Sequence, residues 1–179
     1  GMKTESNKIG FVGAFPLPEL FIAINAFTLG VQSVNPDATV QVIWTNSWYD
    51  PAKEKSAAEA LLDGGADVIA QHCDTTGPQI AAEERGAYAI GYNADSYDAA
   101  PKAFMTPPTS NHGAYYIDTV QAIIDGTWAP ESYYGTMADG YIGLLPLTEN
   151  APEGAAEKVA EIEAQIKAGD FNVFAGPAK

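Results

Sequence analysis

Residues 8–27, KIGFVGAFPLPELFIAINAF, decide how this chain is read. The apolar run Ile9–Val12 has the length and character of a buried strand. Gly13-Ala14-Phe15-Pro16-Leu17-Pro18 then breaks any regular pattern. From Glu19 onward, Leu20, Ile24, Phe27 and Val31 recur at helical spacing. The order is strand, tight loop, helix. In an open α/β sheet the loops leaving the carboxyl ends of the strands hold the ligand. Phe15 lies in such a loop, where the core does not require an aromatic, and it becomes a candidate ligand platform. The alternative is a packing aromatic at a domain or subunit contact.

The same unit repeats in kind along the first two-thirds of the chain. Thr39–Trp44 is rich in β-branched residues and predicts a second strand. Asp50-Pro51 supplies an N-cap and a first-turn proline for an Ala- and Glu-rich helix over 52–62, stopped at Gly64-Gly65. Ala66–Ala70 predicts a third strand, Gln79–Arg85 a short helix, and Tyr88–Tyr92 a fourth strand. Such alternation with short connections predicts a mainly parallel sheet between helical layers, a three-layer α/β fold. Beyond it the pattern loosens. Pro101–Met105 reads as a strand, Pro107-Pro108 blocks a helix, and Gly113–Ile124 reads as a helix with Tyr116, Val120 and Ile123 on one face. Tyr141–Leu145 reads as a strand, Pro152–Ala168 as an amphipathic helix, and Phe171–Phe174 as a sheet-edge segment.

The bulk properties narrow the function. A chain of 179 residues with 46% hydrophobic content can bury one real core. A net charge of −14 argues against nucleic acid as a partner, because phosphates would be repelled. The one cysteine, Cys73, excludes an intrachain disulfide. No apolar run is long enough to span a bilayer, so no direct membrane insertion is expected. Gly1-Met2 reads as a tag remnant, residues 1–7 as a polar, flexible leader, and no export signal is read in this chain.

Four predicted strand exits carry Phe15; Asn46 and Trp48; His72 and Asp74; and Asn93 and Asp95. In a parallel sheet these converge on one rim. Rings, amides, carboxylates and an imidazole suit a small polar molecule with a flat face. Phosphate is disfavoured, since neither a basic side chain nor a glycine-rich cradle lies there. The dinucleotide and P-loop fingerprints are absent, and no cofactor or metal is expected. His72 and Asp74 could serve as an acid–base pair or as two metal ligands. However, HExxH is missing, and Cys73 beside His72 does not form a nucleophile–base pair, because chain neighbours point to opposite faces. Each residue also has a plainer reading: loop hydrogen bonding for His72, a turn for Asp95, a helix cap for Asp50.

These residues also carry a family resemblance. The stretch from Lys8 to Asp74, then YAIGYNADSY, AIIDGTW and IKAGDFNVFAGP, resembles the basic membrane protein (BMP) family of ABC-transporter solute-binding lipoproteins, the purine nucleoside receptors. The resemblance implies a type I periplasmic-binding fold of two α/β lobes around a cleft. It implies capture of a nucleoside or purine-like ligand without catalysis, and delivery to an ABC permease. It also implies a periplasmic or cell-surface location for the full-length protein. A complete member has about 300 residues, so residues 8–179 correspond to the second lobe, with the late crossover segment 103–128, of a truncated protein. Position by position, Phe15 resembles the aromatic that stacks on the base, and Asp95 the acid that accepts from ribose or the ligand edge. The loop of His72 and Asp74 takes the place of a ligand-lining turn. A basic residue of some members has no match in MTPPTSNH, where Ser110 stands near that place. Trp44 and Trp48 fit a subgroup directed at a free purine base.

Two other functions stand beside this one: a stand-alone α/β domain acting through protein contacts, and a small-molecule hydrolase or isomerase using His72 and Asp74. With its opposing lobe missing, the helix over 113–124 would expose its apolar face, and a homodimer is expected through it.

Overall fold

A computed structural model describes residues 1–174 and the backbone of 176–177. Its centre is a four-stranded parallel sheet in the order β2-β1-β3-β4, formed by Lys8–Gly13 (β1), Thr39–Trp44 (β2), Val68–Gln71 (β3) and Tyr88–Ile90 (β4). The helices Pro18–Val34 (α1), Pro51–Asp63 (α2) and Gly77–Glu84 (α3) are the crossovers. Strand alternation sorts the core. Ile9, Phe11, Val68 and Ala70 face α1 through Ile24 and Val31, whereas Val12 and Ile69 face α2 and α3 through Leu61, Ala58 and Ala81. This is the predicted three-layer α/β arrangement. Gly10 is required by it. A Cβ there would sit 2.7 Å from Ile69 Cδ1 and 2.9 Å from Leu61 Cβ, so only glycine lets α2 lie this close to the sheet.

Beyond β4 the chain runs beside the sheet without forming a full strand. The expected strand over 101–105 reduces to a parallel bridge between Ala89 and Phe104, supported by Ala89 N–H to Ala103 O, Met105 N–H to Ala89 O and Gly91 N–H to Thr106 O. The prolines at 107 and 108 lie at the start of a short ribbon, Pro108–Ser110 (β5) against Ile142–Leu144 (β6), antiparallel. Between them, His112–Ile124 (α4) projects as an arm with no buried residue. The chain returns through Thr148 and Asn150, whose side chains bond Phe104 O, and then forms Ala155–Ala168 (α5). Phe171–Asn172 (β7) pairs with Gly176–Pro177 (β8) as a separate hairpin, so it adds nothing to the main sheet.

The first seven residues make hydrogen bonds to the body of the chain. Asp67, just before β3, receives the Thr4 hydroxyl and the backbone N–H groups of Glu5 and Ser6, and these bonds hold its carboxyl below the usual range despite the opposing effect of burial. Asn35 Nδ2 donates to Gly1 O and Asn7 Oδ1. Composition does not reveal these bonds.

Candidate functional site

All four parallel strands end on one rim, and each sends out an aromatic or imidazole ring. Phe15 leaves β1 in a tight turn in which Leu17 N–H bonds Phe15 O at 2.8 Å, and Pro18 then opens α1. Trp48 follows β2, His72 follows β3, and Tyr92 follows β4. The rings form a continuous row. Phe15 to Trp48 is 5.1 Å between centroids, Trp48 to His72 6.1 Å, and His72 to Tyr92 4.3 Å. Successive rings are tilted by 57°, 52° and 35°, so the row is a wall of inclined faces and not a flat stack. Trp48 is 42% exposed, while Phe15, His72 and Tyr92 are half-buried.

The loops that carry the rings are laced to one another. Thr45 N–H and His72 N–H extend the ladder past the strand ends, onto Gly13 O and Val12 O. Asp74 N–H donates to Trp48 O, joining the second exit to the third. Below them lies Glu54, which is fully buried. One of its carboxylate oxygens accepts Asp50 N–H at 2.9 Å, and the other accepts Thr75 N–H at 3.0 Å and the Thr75 hydroxyl. The Glu54 carboxyl thus bridges the start of α2 to the loop after β3. Gln71 Nε2 fixes that loop from inside through Cys73 O and Thr75 O, both at 2.8 Å. Cys73 is part of this scaffold. Its thiol is buried between Thr45 and Val12 O, and burial pushes it up to about 12, so it is not a nucleophile at neutral pH.

The electrostatics of the row are acidic. Burial lowers the His72 pKa, outweighing the opposing pull of Glu19 and Asp74, so the imidazole is neutral at pH 7. Burial also raises the Tyr92 phenol, with Asp74 and Glu19 adding to the effect. Both carboxylates therefore act on the same pair of rings, one from the first turn of α1 and one from the β3 exit. His72 Nδ1 is buried and has no partner among the described residues. No hydrogen bond links His72 to Asp74 among those residues, whose Asp74 contact is through its backbone. The acid–base pair considered from sequence is not assembled here. Among the described residues no cluster of His, Cys, Asp and Glu could hold a metal ion, and no helix is long and apolar enough to cross a membrane.

The remaining candidates fall outside the row. Asn46 and Asn93 are exposed and adopt left-handed backbone, at φ 54° and 59°. Asparagine is tolerated there because its short polar side chain suits the conformation. Asn93 N–H donates to Pro108 O and Asn93 O accepts the Thr109 hydroxyl, so this residue ties the rim to the start of the arm. Asp95 accepts Tyr97 N–H in an Asx turn. It lines a separate groove of about 610 Å³ with Thr76, Tyr97, Phe104 and Leu147. Sequence reading missed Tyr92 and Glu19. Tyr92 was assigned to the end of a strand, and one residue of strand length separates a core tyrosine from a rim tyrosine. Glu19 reads as an ordinary first-turn acid.

Comparison with known proteins agrees with this architecture. Residues 1–170 match the Bmp family, described as ABC transporter substrate-binding protein PnrA-like. A purine-binding protein of Brucella abortus is 44% identical over 170 residues, covering 95% of this chain and 48% of that protein. A putative ABC transporter glucose-binding protein of Haloferax volcanii is 38% identical over 178 residues, covering 99% of this chain and 46% of that one. The chain thus spans about half the length of the curated relatives it matches. Among solved structures, an ABC transporter solute-binding protein of Conexibacter woesei superposes with a TM-score of 0.77 at 22% identity, over 94% of this chain and 57% of that one. A solute-binding protein of Aeropyrum pernix gives 0.77 at 19% identity, over 92% and 56%. These two similarities speak for the fold. The match over nearly the whole chain and the close relatives show that the protein belongs to the Bmp family of ABC transporter substrate-binding proteins.

Proposed function

We propose that this chain is the second lobe of a receptor for a nucleoside or purine-like ligand, held against the ring row at the strand exits. The observation that carries the reading is the row itself: Phe15, Trp48, His72 and Tyr92 in sequence across one rim, with centroids 4.3–6.1 Å apart. A flat heterocycle gains stacking on such faces, about 1–3 kcal/mol per base. Asp74 is an exposed acceptor beside the third strand exit. Asn46, Asn93 and Asp95 are assigned to the outer margin, where a larger ligand such as a nucleoside would reach them. The name of the Brucella relative supports a purine, and that of the Haloferax relative makes glucose the natural comparison ligand.

The role is binding and not catalysis. The one thiol is buried with its pKa pushed up to about 12, and among the described residues His72 Nδ1 has no hydrogen-bond partner. In the full receptor the lobe works outside the cytoplasmic membrane and hands its ligand to an ABC permease. The exposed side of α4, with Ile117, Ile123 and Ile124 at 71%, 57% and 72% exposure, is the surface through which two copies associate. Calorimetry with adenine, guanine, adenosine, inosine and glucose tests the binding reading. Saturable heat with a purine, lost in Trp48→Ala, is expected. Heat with glucose and none with any purine would replace the ligand class, and no heat with any of them would remove the function.

A further inference from the structure

We propose that the free edge of β2, with the flank of α1 beside it, is an interface with a second copy of this chain, the two β2 strands pairing antiparallel about a two-fold axis. This surface is distinct from α4. Three observations meet at it.

The first is an edge left open. The two outer strands of the sheet are treated differently. β4 is covered: Ala89 bridges Phe104, and Ala89 N–H and Gly91 N–H donate to Ala103 O and Thr106 O. β2 pairs with β1 on one side and, among the described residues, with nothing on the other. At the two ends of the ladder Thr39 N–H bonds Asn7 O and Thr45 N–H bonds Gly13 O. Alternation then turns the backbone groups of Thr39, Gln41 and Ile43 toward β1, and those of Val40, Val42 and Trp44 toward the free edge. Such an edge is a template for another strand, and chains blunt it with lysine, proline or a bulge. TVQVIW holds no charge and no proline, and its register with β1 is unbroken from Thr39 to Trp44.

The second is the absence of charge. Residues 20–49, which make most of α1 and all of β2, hold one charged side chain, Asp37, in a chain that is 18% charged. Asp37 lies in the turn between the two elements. Burial does not account for this, because Phe21, Ile22 and Leu29 are exposed.

The third is the neighbouring flank of α1. Phe21 meets Trp44 edge-on at 5.6 Å, and Gln32 Nε2 donates to Ala38 O at 3.5 Å, so this flank runs beside β2. Helical spacing puts Asn25 and Thr28 between them. A ring, two amides and a hydroxyl can meet a partner without removing a charge from water.

The occupant follows from charge and symmetry. At a net charge of −14, two copies repel wherever their acidic surfaces meet, and they approach most easily where charge is missing. A basic partner would be held through carboxylates, which this stretch nearly lacks. A two-fold axis makes the edge its own complement, and the two sheets join into one.

The 179-residue chain carrying Ile117→Lys/Ile124→Lys takes α4 out of play and isolates this surface. Sedimentation gives its mass, and residue-resolved amide exchange by NMR locates the contact. A dimer at high micromolar concentration that dissociates on dilution is expected. With it, the amides of Val40, Val42 and Trp44 should exchange about tenfold more slowly in the dimer, while Gln41 and Ile43, bonded to β1, stay protected throughout. Adding Gln41→Lys charges the edge at an exposed side chain, and should give a monomer with an unchanged melting temperature. Adding Gln41→Asn instead should leave the dimer. A monomer at high concentration before any change at Gln41 would overturn the inference. So would association that leaves the three edge amides unprotected, or that survives Gln41→Lys. The α4 surface is judged separately: the unmodified chain should form assemblies larger than this dimer, and equal masses would overturn that reading alone.

Discussion

The strand-exit rim and the arm formed by residues 108–145 both display aromatic rings, and they are held in different ways. In the rim each ring stands on a loop anchored to a parallel strand, and the loops are joined through Thr45, Asp74, Gln71 and the buried Glu54. In the arm, Tyr115, Tyr133, Tyr141 and His112 contact one another, at 4.2 Å for Tyr115–Tyr133 and 5.2 Å for Tyr133–Tyr141. That knot has no core beneath it, and the far side of α4 is bare. Rings on a braced scaffold keep their geometry without a ligand. Rings on an unbraced arm depend on whatever covers the arm. The difference marks the rim as a braced surface and the arm as an unbraced one.

The largest effects should come from breaking the brace. Leu61→Ala, beneath β1, is expected to cost about 3 kcal/mol in urea unfolding. Ile124→Ala on the arm should change it by less than about 0.5 kcal/mol. Equal costs at the two sites would erase the contrast. Glu54→Ala leaves Thr75 N–H, the Thr75 hydroxyl and Asp50 N–H without their acceptor, and about 3 kcal/mol is the expected loss. Ligand binding should weaken with it, because two of the ring-bearing loops lose their common anchor.

An intermediate effect concerns the rings. Trp48→Ala should weaken a stacked heterocycle by about 5- to 100-fold, with little change in thermal unfolding, since Trp48 is 42% exposed. Tyr134→Ala on the arm, where the side chain is 90% exposed, should leave binding unchanged.

The smallest effects are those of charge and association. Because the folded His72 is harder to protonate than the unfolded one, the unfolded chain takes up the proton first. Stability should therefore be flat above neutral pH and should fall as the pH drops through about 6.5. In His72→Asn this component of the acid decline should vanish from a series of thermal melts. Ile117→Lys/Ile124→Lys should shift light scattering toward monomer without moving the unfolding midpoint.

Much of this was legible in the sequence. The strand, loop and helix of residues 8–27, the β-branched run at 39–44 and the Asp50-Pro51 cap all formed as their chemistry requires. The apolar face of α4 is exposed too, as the resemblance to a two-lobed family implies. The rim was legible as a place, and Phe15, Trp48 and His72 came together there. Tyr92 was not, since hydrophobic alternation does not mark where a strand ends. Asn46 and Asn93 follow strands as well, and their left-handed backbone is a turn conformation that residue type alone does not announce. Glu54 was invisible for a different reason. A glutamate in an Ala- and Glu-rich helix reads as solvated, and only the fold brings the Thr75 loop down onto it.

The central claim, that the ligand is read at the strand exits and not on the arm, is tested most directly by hydrogen–deuterium exchange with and without saturating adenine. The account predicts added protection in the four exit loops, residues 13–17, 45–50, 71–76 and 91–95, with exchange across α4 unchanged. Protection confined to α4 and the 127–141 segment, or none in the exit loops at saturation, would contradict it.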